Sequence, residues 1–275
     1  IEKMAAKYIP HNDVSRTCPS PHSYEKLSRA ENDVERAKLS DSPVQYISLI
    51  GALLYVAVMS RPDVAYYTSV LAKFASDPSM ACLTAAIQLM QYLHTTRDKR
   101  MYFSGKITIP AGLSKFAPDI ERNSGFVAYS DSSWGNEYPY PMFGYGIYLY
   151  GCLVSYASKQ LKTVAFSSCE AEYAAASYTC KELQFVRYLC EDMDNMLVGR
   201  LVLAVDNTAV IDVANDVGVS SRTKHFARAM HYIRDLTGKR MVLPTHVTTD
   251  LQRADGFTKA LDKSKFSVWV TFVIT

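Results

Sequence analysis

FVAYSDSSWG, residues 126–135, is the stretch from which the second half of this chain is built outward. Its aromatic and β-branched opening reads as a strand over Phe126 to Asp131 that ends on an aspartate. Gly144 to Leu149 and Leu153 to Ala157 share that composition and lie close by, so the three segments predict an antiparallel meander. Ser167 to Cys190 then carries the clearest helical pattern. A strand at Leu201 to Asp206, helices at Asn207 to Asn215 and Thr223 to Leu236, a strand at Met241 to Val247 and a terminal helix opened by Asp255 follow. Strands that alternate with helices pair in parallel, because the crossover returns the chain to the same edge of the sheet. The expectation is an α/β fold: a mixed five-stranded sheet flanked by helices.

Upstream the pattern changes. Residues 1–45 are polar and interrupted by Pro10, Pro19, Pro21 and Pro43, which predicts an extended or loosely packed arm. From Tyr46 to Tyr102 the apolar residues recur at helical spacing, with Arg61-Pro62-Asp63 marking a break and a new helix start. Ser104 to Ser124, with Pro110, Gly112 and Pro118, reads as a linker or hairpin region. Three regions are therefore expected: an arm at 1–45, a helical region with linker at 46–124, and the α/β domain at 125–275. The longest apolar run, Leu49 to Met59, is too short to cross a bilayer and predicts a buried helix.

Four acidic residues stand at structural junctions of the α/β half: Asp131, Glu172, Asp206 and Asp255. Carboxylates that converge at one sheet edge repel and raise one another's pKa, so they stay ionised beside divalent cations. All-oxygen ligands suit hard ions, magnesium first and manganese as its substitute. Taken singly, Asp131, Asp206 and Asp255 each have a plainer reading, since strand-end aspartates cap a following turn or helix.

The helix from Ser167 offers two glutamates. Ser167-Ser168-Cys169-Glu170 forms a capping box, which gives Glu170 a structural role. From Glu170 the helical face continues through Ala174, Ser177, Lys181 and Gln184, and is mostly polar. From Glu172 it continues through Ala176, Thr179, Leu183, Val186 and Cys190, the stripe that faces a sheet. A carboxylate at the head of the buried stripe marks Glu172 as the ligand.

Composition leaves the activity open. The 275 residues suffice for one large or two modest domains, and a net charge of +3 permits nucleic-acid binding without arguing for it. Six cysteines without a Cys-x-x-Cys pair read as reduced, buried thiols of an intracellular protein. The six histidines show no zinc-ligand spacing.

The runs YSDSSWG, SYASKQ, SSCEAEYAA, VDNTAVIDVA, RTKHFARAMHYIRD and QRADGFTKAL resemble, in order and separation, the ribonuclease H domain of Ty1/copia-type retrotransposon polyproteins. YISLIGALLYVAVMSRPDVAYYTSVLAKFASDP resembles the connection segment that precedes it, and KMAAKYIP the end of the polymerase thumb. The resemblance implies a ribonuclease H-like sheet, preceded by a small mainly helical connection region. It also implies an endonuclease that hydrolyses the RNA strand of RNA/DNA hybrids with two magnesium ions held by Asp131, Glu172, Asp206 and Asp255. A retroviral-type integrase shares the sheet but orders its acids Asp, Asp, Glu, whereas here the glutamate comes second. An intracellular location, cytoplasmic or nuclear, follows from the same resemblance.

Two polar clusters are placed to meet the hybrid's phosphates: Ser158, Lys159, Gln160 and Lys162 before the helix, and Asn207, Arg222, Lys224 and His225 after the fourth strand. Some positions depart from the family pattern. Tyr138-Pro139-Tyr140-Pro141-Met142-Phe143 precedes Gly144-Tyr145 where basic and hydroxyl residues are usual, and Gln88 and Gln91 replace basic residues. The tail Phe266 to Ile274 is strongly apolar and predicts burial against a partner chain or between two lobes. These features keep open a second class of function, a non-catalytic, host-adopted scaffold subunit of a larger assembly.

Overall fold

The computed structural model describes residues 1–11, 14–19, 24, 27–134, 140–193, 199–215 and 227–274. The chain divides into two compact units, Phe103–Lys259 and a second formed by Ile1–Tyr102 with Ala260–Thr275. The α/β domain was expected over 125–275. The compact unit that holds the sheet runs from Phe103 to Lys259.

In the unit Phe103–Lys259, the predicted strands appear as β1 (Val127–Ser133), β2 (Met142–Leu149), β3 (Cys152–Gln160), β4 (Leu201–Val205) and β5 (Val242–His246). The sheet order is β3-β2-β1-β4-β5, with β1, β2 and β3 antiparallel and β1, β4 and β5 parallel. Helices α7 (Ser168–Asp192), α8 (Thr208–Asn215) and α9 (Ala227–Gly238) supply the crossovers. This is the ribonuclease H-like arrangement: a mixed five-stranded sheet flanked by helices. The core between sheet and helices contains Ile147, Ala175, Leu183, Val205 and Ile233.

Strand alternation sorts the residues of β1. Ser130 faces α7, where its hydroxyl accepts from Thr179 at 2.9 Å. Tyr129 and Asp131 therefore point the other way, and Tyr129 meets Tyr148 edge to face on that side. The presumed linker is ordered, holding a short helix, α6 (Ala117–Arg122). Asn123 ties its end to the start of β4, donating to the Arg200 carbonyl and accepting from the Gly199 amide.

The other unit is helical, with α1 (Glu2–Tyr8), α2 (Asp33–Ser40), α3 (Tyr46–Met59), α4 (Ala65–Ala72) and α5 (Met80–Thr95). The arm is thus partly folded. Asn32 caps α2 by accepting from the Glu35 amide, and Glu35 in turn accepts from the Glu31 and Met80 amides. The break at Arg61-Pro62-Asp63 is present as a single helical turn before α4.

The tail forms α10 (Lys263–Trp269) and a further turn, Val270–Phe272. Phe266, Trp269, Val270, Val273 and Ile274 are buried within this unit, with the Phe266 ring 5.7 Å from Tyr92 and 6.1 Å from Tyr67. Burial by a partner chain or between two lobes, expected from the tail's composition, is supplied instead by the unit's own helices. Among the described residues no helix is long and apolar enough to cross a membrane.

Candidate metal centre

Parallel pairing of β1 with β4 sets the centre. Tyr129 pairs with Ala204, so two residues further on Asp131 and Asp206 lie level at the same edge of the sheet. Asp131 falls within β1, which continues to Ser133, and Asp206 directly follows β4. Helix α7 begins at that edge and brings Glu172 to it. One carboxylate oxygen from each of Asp131, Glu172 and Asp206 lies within 4.8 Å of the others.

The two glutamates separate as expected. Ser167 Oγ accepts from the Glu170 amide at 3.1 Å, while Glu170 Oε2 accepts from the Phe166 amide at 2.8 Å. Glu170 therefore completes the cap. Glu172 is buried, and its Oε1 accepts from the Ser132 amide at 3.2 Å and the Ser132 hydroxyl at 2.9 Å. Its Oε2 is buried with no hydrogen-bond partner among the described residues. An acceptor oriented on one side and unpartnered on the other, beside two further carboxylates, fits a hard divalent cation.

Asp255 stands apart from that trio. It opens a single helical turn, Asp255–Phe257, rather than a terminal α-helix, and it pairs with Lys259 Nζ at 2.9 Å. Its charge still reaches Asp131. The turn is held against the sheet by Gln252, which donates to the Ser130 carbonyl and accepts from the Ala254 amide. Gly144 permits the approach: a Cβ there would lie 2.4 Å from Phe257 Cβ. Gly144 is the strand partner of Asp131, so the glycine sits where the turn must cross the sheet.

Burial is the largest influence on Asp131, pushing its pKa up; Asp255 and Asp206 add to the rise, while Lys259 and the Thr258 hydroxyl oppose it. Glu172 is likewise pushed up, first by burial and then by Asp131, with Ser132 opposing. These directions predict a pH dependence. Without metal the folded state keeps protons that the unfolded chain has released, so its stability falls as pH rises above about 4 through the raised values. A bound cation removes that cost. Mg2+ at a hundredfold excess over its Kd adds about 2.7 kcal/mol, so it is expected to raise Tm by about 5 to 10 °C at pH 8 and by much less at pH 5. Differential scanning fluorimetry checks this; equal shifts at both pH values, or an unchanged shift in Glu172→Gln, would contradict it.

Of the residues expected to meet the hybrid, Ser158 is buried in β3, Lys159 and Lys162 are exposed, and Gln160 donates to the Tyr140 carbonyl at 3.1 Å. Asn207 accepts from the Ala209 amide at 3.0 Å, a cap at the start of α8. Arg222, Lys224 and His225 lie outside the described residues, as does Tyr138-Pro139. Ser132, Thr258 and Lys259, which touch the carboxylates, were not singled out from sequence. The signal was present: Thr258 and Lys259 follow Asp255 by three and four residues, one helical turn.

No family model matches the chain. A retrovirus-related Pol polyprotein from transposon RE1 of Arabidopsis thaliana is 30% identical over 231 residues, which is 83% of this chain and 15% of that protein. The transposon Ty1-JR2 Gag-Pol polyprotein of Saccharomyces cerevisiae is 24% identical over 97% of this chain and 15% of its own length. The chain thus spans about a seventh of these curated relatives. Among solved structures, a ribonuclease H1 from the archaeon Halobacterium salinarum is 17% identical, covering 48% of this chain and 93% of that one, with a TM-score of 0.37. Over most of its length the chain is a homologue of the Ty1/copia-type retrotransposon Pol polyproteins.

Proposed function

We propose that the chain is a ribonuclease H-type hydrolase that cleaves the RNA strand of RNA/DNA hybrids, with magnesium held at the sheet edge. The observation that carries this reading is the convergence of Asp131, Glu172 and Asp206 around an unpartnered, buried Glu172 Oε2. Asp131, Glu172 and Asp206 would hold the metal, and Asp255, kept beside Asp131 by Lys259, would complete a second position. Divalent cations there would activate a water and stabilise charge on the leaving oxygen. Ser132 fixes the rotamer of Glu172 through two hydrogen bonds to one oxygen, leaving the other aimed inward. Thr258 donates one hydrogen bond to Asp131 Oδ2. Ser158, Lys159, Gln160 and Lys162 would contact the hybrid, and the ribose 2′-hydroxyl would distinguish RNA from DNA. An intracellular site of action, in cytoplasm or nucleus, belongs to the same proposal. The non-catalytic scaffold reading drew on the departures at 138–143, Gln88 and Gln91 and on the apolar tail, and the tail's Phe266 packs against Tyr67 and Tyr92 of its own unit.

The test is a substrate panel with Mg2+: end-labelled RNA as a single strand, in an RNA duplex and in a hybrid, with labelled DNA in the same hybrid. The RNA strand of the hybrid alone is expected to be cut. Equal cutting of single-stranded RNA or of the DNA strand would overturn the assignment.

A further inference from the structure

One face of α7 packs on the sheet through Ala176, Leu183 and Cys190, and the opposite face is apolar where a solvated helix would be polar. Tyr178, Lys181, Phe185, Tyr188 and Asp192 are all exposed there. They follow one another at spacings of three, four, three and four residues, and fall within an arc of about 80° on the helix. That is the seam of a coiled coil, in which residues three and four apart meet a facing helix. Its middle is aromatic, and a charge of opposite sign stands towards each end.

Neither charge is spent within the chain. Among the described residues no ion pair engages Lys181 or Asp192, whereas neighbouring Arg187 and Glu191 pair with each other at 2.7 Å. Lys181 Nζ lies 5.1 Å from the Tyr178 ring centroid and 5.9 Å from that of Tyr232, and these rings keep its ammonium beside the seam.

The order of these residues makes the seam its own complement. Two copies set parallel would oppose Lys181 to Lys181 and Asp192 to Asp192. Set antiparallel about a twofold axis between positions 186 and 187, they oppose Phe185 to Tyr188 of the second copy and Lys181 to its Asp192, and symmetry makes each pairing twice. A shift of one heptad in either direction loses both charge pairs, so the charges fix orientation and register together.

The area is that of a weak dimer. Tyr178, Phe185, Tyr188, Leu189 and Met193 are 41, 60, 54, 47 and 64% exposed. At about 150 to 250 Å² for a large side chain, they leave roughly 500 Å² of apolar surface on each copy, or roughly 1,000 Å² for a pair. A specific interface needs about that much, and larger ones reach only about 1 µM at their weakest, so the expected Kd lies above about 1 µM.

We infer that the exposed seam of α7 is a self-association surface whose occupant is a second copy of this chain, docked antiparallel through Phe185–Tyr188 and Lys181–Asp192 pairs. Glu172, near the head of the same helix, lies about 22 Å along α7 from the axis, so docking leaves the carboxylates open at the two ends of the helix pair. Self-association of this kind does not depend on the hydrolase reading.

Sedimentation velocity on the full chain, from about 1 to 300 µM to span the expected Kd, tests it. Wild type is expected to pass from monomer to dimer across that range. Phe185→Asp should raise Kd by about tenfold or more, since it removes an aromatic anchor from the middle of the seam. Lys181→Glu and Asp192→Lys should each do the same, because each sets two like-charge pairs in the seam. Mixed in equal amounts, these two charge variants are expected to dimerise about as well as wild type, because each supplies the sign that the other lacks. Circular dichroism confirms that the exposed substitutions leave the fold intact. Wild type that stays monomeric throughout would overturn the inference and leave the seam to a different chain. A dimer that Phe185→Asp does not weaken, or one that mixing the charge variants does not restore, would overturn the antiparallel docking.

Discussion

Glu172→Gln is expected to reduce cleavage of hybrid by more than about 10²-fold, beyond the 10- to 100-fold lost when a group outside a metal's ligand set is removed. Glu170→Gln, two residues earlier on the same helix, is expected to leave the rate within about twofold and to cost at most about 1 kcal/mol of stability. The contrast follows from what each side chain touches. Glu170 accepts from the Phe166 amide and closes the helix cap, while Glu172 is buried beside Asp131 and Asp206 with one oxygen unpartnered. Replacing a carboxylate whose pKa is raised by burial and like charge removes repulsion, so Glu172→Gln should not destabilise the fold. Single-turnover kinetics and urea titration on both variants decide it. A slow Glu170→Gln with an active Glu172→Gln would mean that the facial assignment of α7 is wrong.

A second large effect is expected far from the chemistry. Arg61 and Asp63 are both almost fully buried in the helical unit and form a two-pronged pair at 2.9 and 2.7 Å. The Tyr92 hydroxyl donates to Asp63 at 2.6 Å, and Arg61 donates to the Thr96 carbonyl and hydroxyl. Asp63→Ala leaves a buried guanidinium without its counter-ion, which costs about 3 to 5 kcal/mol. Adding Arg61→Met to that variant should recover part of the loss, because the uncompensated charge goes with it. Urea unfolding followed by circular dichroism checks both. A loss under about 1 kcal/mol for Asp63→Ala would show that water reaches the pair.

Much of the sheet was legible because its strands differ in kind from its helices. Phe126 to Asp131 and Gly144 to Leu149 carry aromatic and β-branched residues, α7 carries an unbroken helical stripe, and the alternation after it implies parallel pairing, which is what β1, β4 and β5 do. The two glutamates were separable for a related reason: a cap and a buried stripe leave different local patterns. Long-range contacts were not legible. Asp255 was expected to open a terminal helix; it opens a single turn instead, whose placement depends on Gln252, Gly144 and Phe257, which are joined only by folding. The tail was misplaced because an apolar run shows that it needs cover and not what provides it; the cover is Tyr67 and Tyr92, some 170 to 200 residues away in sequence. The arm's second helix was missed because prolines at 10, 19, 21 and 43 set the reading of the whole arm, although none lies near its capping box, Asn32 to Glu35.

On the proposed reading the carboxylates at the sheet edge hold a divalent cation that the chemistry needs. Its most direct test is a Mg2+ titration of hybrid cleavage by wild type and Asp206→Asn. Wild-type cleavage should be absent in EDTA and should rise saturably with Mg2+, while Asp206→Asn should fall by about 10²-fold or more at every concentration. Cleavage that persists in EDTA, or that is unchanged by Asp206→Asn, would contradict the account.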